Sequence, residues 1–412
     1  MGPRSERSKN TKDQSRSHHP RRRTSLRAGL AVVGGRTVGA LSRRLHIGGG
    51  TSVVGLVAQR VYPDIVGHLA TQLEHGSVVV TGTNGKTTTS GFVAAILSDA
   101  GLRVWRNREG SNLMGGIASS LVIRALPNGH LRRDGRAISI LEVDEAVVPQ
   151  ALQSVSARVV TFTNLFRDQL DRYGEVDSVA ARWQQAIKAL STDTVLVLNA
   201  DDPTTAFLGE MFAGRVLYFG IDDPTLDLTA QQKNDERHQV IDTRTCPKCG
   251  GEYSYELRFF SHMGHYQCTS CGRQRPQPDV RAVNVQSDDF DRLRIQIASS
   301  VATATTKQQQ EIVIPLPGLY NVYNALAATA VAQALDIGWE PIVTGIEQFK
   351  PIFGRGERLQ IEGRTLRLLL AKNPTGFNEV LRTLFSEGTR RHVLFVLNDN
   401  IADGRDVSWI WD

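Results

Sequence analysis

Along residues 78–101 the chain changes period. Val78, Val79 and Val80 form a β-branched run with no polar interruption, as in a strand buried on both faces. A glycine-rich turn follows. Thr87 to Ala100 then reads as a helix, with Gly101 where a C-terminal cap belongs. An extended segment starts at Val104-Trp105, and short apolar runs recur at Ala137 to Val143, Val159 to Phe162 and Val195 to Leu198, separated by helix-length stretches. This alternation predicts an α/β domain with a largely parallel sheet. Between about residues 25 and 75, Leu, Val and Ala mixed with Arg and Gly predict short helices.

Residues 221–285 break the alternation: they are polar and contain all four cysteines. The pattern resumes at Leu293 to Ile297, and Gly318 to Ala334 reads as a helix entered through a turn. From Arg364 a strand–helix–strand pattern runs through Leu366 to Leu370, Asn378 to Phe385 and Val393 to Leu397, and the chain stops at Asp412. About sixty residues are too few for a whole α/β domain, so the last domain is expected to be incomplete.

The length of 412 residues predicts two or three domains, and 41% hydrophobic with 22% charged residues is ordinary for a globular protein. The net charge of +6 raises nucleic acid as a partner, but residues 1–45 hold 12 of the 48 Lys/Arg and only 2 of the 42 Asp/Glu. The remainder is slightly acidic, so the basicity belongs to a basic, disordered tail at 1–45 and no nucleic-acid partner is expected. No apolar run approaches the roughly 18 residues of a membrane span, so the protein is not expected to be integral to a membrane. Arg21-Arg22-Arg23 before Ala28 to Gly35 is a poor twin-arginine signal, because the apolar stretch is glycine-rich and cut by Arg36. A cytoplasmic location is expected.

The turn after the valine run is Gly82-Thr83-Asn84-Gly85-Lys86-Thr87-Thr88. Strand, glycine loop and helix start place backbone N–H groups around a phosphate at the positive end of a helix. The loop is shorter than the usual G-x-x-x-x-G-K-[ST], with Val80 where that pattern needs glycine. In the nucleotide reading Gly82 and Gly85 admit the backbone, Lys86 neutralises β/γ-phosphates and Thr87 reaches Mg²⁺. A structural turn is the competing reading, and Gly-Lys-Thr between strand and helix favours the nucleotide.

The cysteines are spaced Cys246-x2-Cys249-x18-Cys268-x2-Cys271, with Gly250 and Gly272 after each pair. Two such knuckles match a four-thiolate Zn²⁺ ribbon, whose closed shell makes the zinc structural. Two disulfides are the alternative, disfavoured in a cytoplasmic protein. His262 and His265 are expected at the surface, since four sulfurs complete the shell. No cysteine is left for a glutaminase nucleophile.

Glu142-Val143-Asp144-Glu145 follows a strand, where open α/β sheets bind ligands, and could hold Mg²⁺; a solvated acidic loop reads similarly. After the next strand comes a dense polar stretch, Asn164-Leu-Phe-Arg167-Asp168-Gln169-Leu-Asp171-Arg172-Tyr173-Gly174-Glu175, consistent with a site or with a capped surface helix.

Together these segments resemble the Mur ligase family of ATP-dependent ligases, which build the peptide of bacterial cell-wall precursors. Gly82 to Thr87 resembles its P-loop, and Leu198-Asn199-Ala200-Asp201-Asp202-Pro203 its L-N-x-D-D-P segment. Asn321-Val-Tyr-Asn324 resembles the asparagine motif that faces adenine, and Ala371-Lys372-Asn373-Pro374 the H-N-P strand end. Arg355 in Phe353-Gly354-Arg355-Gly356-Glu357 is similar to the interdomain arginine. The chain departs from the amino-acid-adding ligases in four ways. It lacks a substantial N-terminal uridine-nucleotide domain, has Gln169 in place of a metal-binding histidine, shows no match to their carbamylated lysine, and carries the cysteine insert. Those departures resemble the MurT branch, as does the closing Asn398-Asp399-Asn400-Ile-Ala-Asp403-Gly404-Arg405-Asp406-Val-Ser408-Trp409.

The resemblance implies a Mur ligase-like central domain at 46–350 that binds ATP, with the ribbon inserted at about 222–285, and a Rossmann-like C-terminal domain at 351–412. It implies ATP-dependent amidation, through an acyl phosphate, of the α-carboxyl of D-glutamate in lipid II. Nucleotide contacts fall to Gly82, Thr83, Asn84, Gly85, Lys86, Thr87, Thr88, Asn321, Asn324 and Arg355, magnesium to Thr87 and Glu142, zinc to Cys246, Cys249, Cys268 and Cys271, and catalysis to Asp406. Ammonia is implied to come from a GatD-type glutaminase in a heterodimer, with lipid II met at the membrane surface. The alternatives are another Mur-type amino-acid ligase, or a non-catalytic ATPase with a nucleic-acid-binding ribbon. The latter is weakened because residues 246–272 and their immediate neighbour hold only Lys248, Arg258 and Arg273 as cations.

Overall fold

The computed structural model describes residues 26–45, 51–107, 111–167, 176–229, 243, 245–302, 308–351, 355–385 and 392–396. Six strands, β1 (Ser77–Thr81), β2 (Arg103–Arg106), β3 (Ala137–Glu142), β4 (Ala157–Phe162), β5 (Val195–Asn199) and β6 (Arg215–Ile221), lie side by side and parallel. The hairpin β7 (Tyr253–Phe260) and β8 (Met263–Cys268) stands apart as its own small sheet. The main sheet then continues with β9 (Val280–Asp289), parallel to β6, and the antiparallel β10 (Arg292–Ser299) and β11 (Gln309–Ile314). The order across all nine strands is β11-β10-β9-β6-β5-β4-β1-β3-β2.

β1 lies between β3 and β4, so the order reverses at its C-terminal end, where such sheets open a crevice. Both faces of β1 are covered. Val78 and Val80 enter one core with helices Lys86–Asp99, Leu319–Ala334 and Trp339–Glu347, while Val79 enters the other with Phe162, Trp183 and the N-terminal helices. Burial on both sides explains why the strand reads as an unbroken valine run.

The tail bounds of 1–45 are too long: Leu26–Arg44 is a helix, as the short helices expected from about residue 25 imply, while residues 1–25 lie outside the described residues. Its inward face is built from small residues: a β-carbon at Gly35 would meet the Val54 carbonyl and one at Gly39 the Val54 side chain. That face closes on the helix Thr51–Val61 through Gly and Ala rather than Leu, which weakens its apolar signature. β9 begins at Val280, so the end of the expected 222–285 insert already belongs to the main sheet.

The C-terminal residues also differ from expectation. β12 (Arg355–Ile361) and β13 (Arg364–Leu369) pair antiparallel, and the helix Pro374–Phe385 follows. The helix starts at Pro374, ahead of the expected Asn378, because proline suits its first position and the Asn373 side chain accepts from the Gly376 N–H at 2.8 Å. Residues 392–396 form no strand, contrary to the extended run expected at Val393 to Leu397. A parallel Rossmann-like sheet is not found among the described C-terminal residues.

Candidate functional site: a P-loop cleft beside a four-cysteine hairpin

The valine strand ends at Thr81 and the next helix begins at Lys86, so Gly82 to Gly85 form the turn between them. Gly82 has φ +130° and Gly85 φ +85°. A β-carbon at Gly82 would collide with the Thr163 hydroxyl, and one at Gly85 with the Asn324 amide. Glycine is required at both by conformation and by space. The loop is tied to the segment after β4: the Thr83 N–H donates to the Asn164 carbonyl at 3.0 Å, and the Asn84 N–H to the Asn164 side chain at 2.8 Å. Asn164 to Arg167 therefore brace the loop, while Asp168 to Glu175 of that motif lie outside the described residues.

Lys86 donates from Nζ to the Gly82 carbonyl at 2.5 Å and to Glu145 Oε1 at 2.8 Å. Burial opposes its charge, but Glu145, Glu142 and Asp144 outweigh that and hold the ammonium above its ordinary pKa. Burial also pushes the Glu145 carboxyl up, towards the neutral form, yet its short contact with Lys86 decides for the ion pair. Thr87 donates from its hydroxyl to Glu142 Oε1 at 2.7 Å. Asn107 holds that strand end on both sides, accepting from the Glu142 N–H at 2.9 Å and donating to its carbonyl at 2.8 Å. A hydroxyl and a carboxylate in contact beside a lysine form a hard-oxygen set that suits Mg²⁺.

Thr83, Asn84, Gly85, Lys86, Thr87, Thr88, Glu142, Asn321 and Asn324 all line one cleft. The two asparagines of the Leu319–Ala334 helix are buried and turned to protein. Asn324 donates to Asn321 Oδ1 at 2.9 Å and accepts from Thr89 at 3.2 Å, while Asn321 donates to the Pro317 carbonyl at 2.7 Å. They brace the P-loop helix from the far wall. The opposite rim is C-terminal: Lys372, Thr375 and Glu379 line the cleft. Asn373 pairs with Asn84 through two amide hydrogen bonds. Glu379 is buried, and burial pushes its carboxyl up to about 7, Arg382 pulling the other way.

The four cysteine sulfurs lie within 4.8 Å of one another and none forms a disulfide. Cys246 and Cys271 are 3.8 Å apart, Cys249 and Cys268 3.5 Å. Zinc–thiolate bonds of about 2.3 Å place tetrahedral sulfurs about 3.8 Å apart, so the set fits zinc. Gly250 (φ +73°) and Gly272 (φ +71°) turn the chain after each knuckle.

The expected surface positions of His262 and His265 are corrected. His262 is fully buried at the tip of the β7–β8 hairpin, its ring tilted against Phe166 with centroids 4.7 Å apart and Nε2 3.6 Å from Asp202. His265 faces the Ile221 carbonyl at 2.8 Å. The eighteen residues between the knuckles are this hairpin, and its tip supplies Phe260 and Met263 to the cleft wall. Arg275, just beyond the second knuckle, donates to Asp201 at 2.5 Å, and Asp201 accepts from the Tyr323 hydroxyl at 2.7 Å. Tyr323 sits between the two asparagines and lines the cleft. The Asp201-Asp202 pair thus joins strand, ribbon and asparagine helix.

Residues 80–266 match the Mur ligase middle domain, and residues 370–412 match the MurT ligase C-terminal domain. The lipid II isoglutaminyl synthase (glutamine-hydrolyzing) subunit MurT of Staphylococcus aureus (strain COL) is 32% identical over 364 residues, 88% of this chain and 76% of the relative. The subunit of the same name in Streptococcus pneumoniae (strain ATCC BAA-255 / R6) is 34% identical over 388 residues, 94% and 80%. This chain belongs to the MurT family.

Solved structures place the family's fold among the Mur ligases. A pseudomurein peptide ligase type C from Methanothermus fervidus superposes with TM-score 0.58 at 26% identity, covering 74% of this chain and 56% of that one. The MurF ligase from Thermotoga maritima in complex with ADP superposes with TM-score 0.55 at 12% identity, covering 79% and 61%, and speaks for the fold alone. The chain thus spans somewhat over half the length of these solved ligases.

Of the remaining candidates, Asp406 lies outside the described residues, and Arg355 opens β12 with its side chain outside them. Glu145, Phe260, Met263, Tyr323 and Glu379 were not singled out as site residues from the sequence. Glu145 was legible only as part of an acidic run. The others carry no local signal, because folding alone brings them to the cleft.

Proposed function

We propose that the chain is the synthetase subunit of a lipid II isoglutaminyl synthase, a carbon–nitrogen ligase with glutamine as amido donor. It would convert the α-carboxyl of D-glutamate in the lipid II stem peptide to the carboxamide of D-isoglutamine. The observation that carries this is the coincidence of MurT-family membership with a P-loop cleft in which Lys86, Thr87, Glu142 and Glu145 converge.

In this reading ATP is a substrate held by Gly82 to Thr88, with Asn321, Asn324 and Arg355 completing the pocket. A glutamate carboxylate oxygen attacks the γ-phosphorus, ADP departs, and an acyl phosphate forms. Ammonia then attacks the acyl carbon, the C–O bond breaks, and phosphate leaves. Lys86 offsets the negative charge that builds on the phosphoryl oxygens. Thr87 and Glu142 would hold Mg²⁺, which when bound supplies further charge neutralisation. Asp406 orients or deprotonates the ammonia. Cys246, Cys249, Cys268 and Cys271 would hold a structural zinc. With every cysteine committed there, ammonia comes from a separate glutaminase of the GatD type, and the pair acts on lipid II from the cytoplasmic side. The central unit is assigned to 46–350 and the C-terminal unit to 351–412.

The test is mass spectrometry of lipid II incubated with the protein, ATP and Mg²⁺, with ammonium in one arm and amino acids in the other. An ATP-dependent shift from carboxyl to carboxamide supports the reading, and addition of an amino acid instead would replace it with the peptide-ligase reading. Asp406→Asn should abolish amidation while sparing ATP binding; full activity in that variant would remove Asp406 from its role.

A further inference from the structure

We propose that the outward face of the helix Leu26–Arg44 is a docking surface for an anionic phospholipid membrane. This helix closes on the protein through Ala28, Ala31, Val32, Gly35 and Gly39. Its other face points to solvent and is apolar: Leu26 is 85% exposed, Leu30 65%, Val33 47% and Leu41 55%. At 100° per residue these four lie within one narrow stripe, with Thr37 and Ala40 between them and Arg44 at its end. Large apolar side chains aligned on one helical face, opposite a face already buried, mark a surface that meets something apolar.

The charge selects the partner. The helix contains no acidic residue, while Arg27 is exposed at one edge of the stripe and Arg44 is exposed at its C-terminal end. Residues 1–45 hold 12 Lys/Arg against 2 Asp/Glu, the opposite of the slightly acidic remainder. Leucines pointing outward with arginines at their flanks fit the boundary between acyl chains and anionic headgroups, where the cations reach phosphates as the leucines enter the apolar layer. No helix among the described residues is long and apolar enough to cross a membrane, so the surface would lie on the bilayer. The purpose of docking, access to a lipid-linked substrate, rests on the function proposed above; the docking itself does not.

The full chain is mixed with vesicles of phosphatidylglycerol and phosphatidylcholine, or of phosphatidylcholine alone, without lipid II, and bound protein is separated by flotation. Binding to the anionic vesicles, weakened by salt, is expected, with little binding to the neutral ones. The triple variant Leu30→Asp, Val33→Asp, Leu41→Asp should bind at least about tenfold more weakly, as should Arg27→Glu with Arg44→Glu. Unchanged circular dichroism and ATP affinity would show that the fold and the nucleotide cleft survive. Wild-type protein that ignores anionic vesicles, or a triple variant that binds as the wild type does, overturns the proposal. So does a wild-type dimer that the leucine substitutions dissociate without any vesicle binding, because the face would then join two copies. Failure to amidate a precursor in solution would instead count against the proposed function and leave the docking result standing.

Discussion

Asn84 of the P-loop and Asn373 at the head of the last helix exchange two side-chain hydrogen bonds, at 3.3 and 3.0 Å, across 289 residues of chain. Asn373 also caps its helix through the Gly376 N–H. One side chain therefore sets the C-terminal segment against the phosphate loop. Asn373→Ala removes both the cap and the clamp, costing about 1–2 kcal/mol of local stability. The KM for ATP should rise about tenfold, a change of about 1.4 kcal/mol in binding. Steady-state kinetics with varied ATP checks this, and an unchanged KM would mean that the pair is not needed for nucleotide binding.

Lys86 and Glu145 have different weights in the same ion pair. Lys86→Met removes the cation aimed at transferring phosphate and leaves Glu145 buried without it, so kcat should fall at least about a hundredfold. Glu145→Gln leaves Lys86 bonded to the Gly82 and Thr83 carbonyls, so the loss should be smaller. The pH profile follows from the sign of the shift. A lysine raised above its ordinary 10.5 keeps its charge, and the stability that goes with it, until the pH passes that value. No alkaline fall in activity due to Lys86 is expected below about pH 10.

Glu379 shifts in the same direction but in a much lower pH window. Its folded pKa of about 7 lies above the ordinary 4.5, so the folded state favours the proton. Stability is greatest below the ordinary value and declines as pH rises from there through about 7, by roughly 3 kcal/mol. Glu379→Gln should flatten that decline and raise the melting temperature at pH 8 more than at pH 5. Thermal unfolding at both pH values measures it; parallel shifts at the two would show that Glu379 does not titrate in this window.

The four-cysteine hairpin supports the cleft as well as its own fold. Metal analysis should find about one zinc per chain, and Cys268→Ser should lose it. Because Phe260 and Met263 at the hairpin tip line the cleft, the variant should bind ATP several-fold more weakly. Unchanged ATP affinity in a zinc-free, folded variant would uncouple the ribbon from the nucleotide.

The sequence by itself determined the elements whose chemistry is local. The valine run, Gly82, Gly85, Lys86 and Thr87 are contiguous, so their spacing alone prescribes strand, loop and helix. The two C-x-x-C knuckles are equally self-contained, since each brings two sulfurs together within one turn. Only the tertiary structure decided what meets these segments. Glu379, Tyr323 and Met263 come from three separate parts of the chain and meet at the cleft only when the chain folds. His262 is buried because the hairpin folds back over Phe166 and Asp202, a contact that no count of residues between cysteines reveals. The Leu26–Arg44 helix was expected among the short helices from residue 25, but which of its faces packs was not legible, for a related reason. Its packed face is Gly and Ala and its leucines point to solvent, so hydrophobicity along the chain marks the wrong side of it. Local spacing fixes what a segment is, while the sign of an exposed or buried face depends on partners that arrive from elsewhere in the chain.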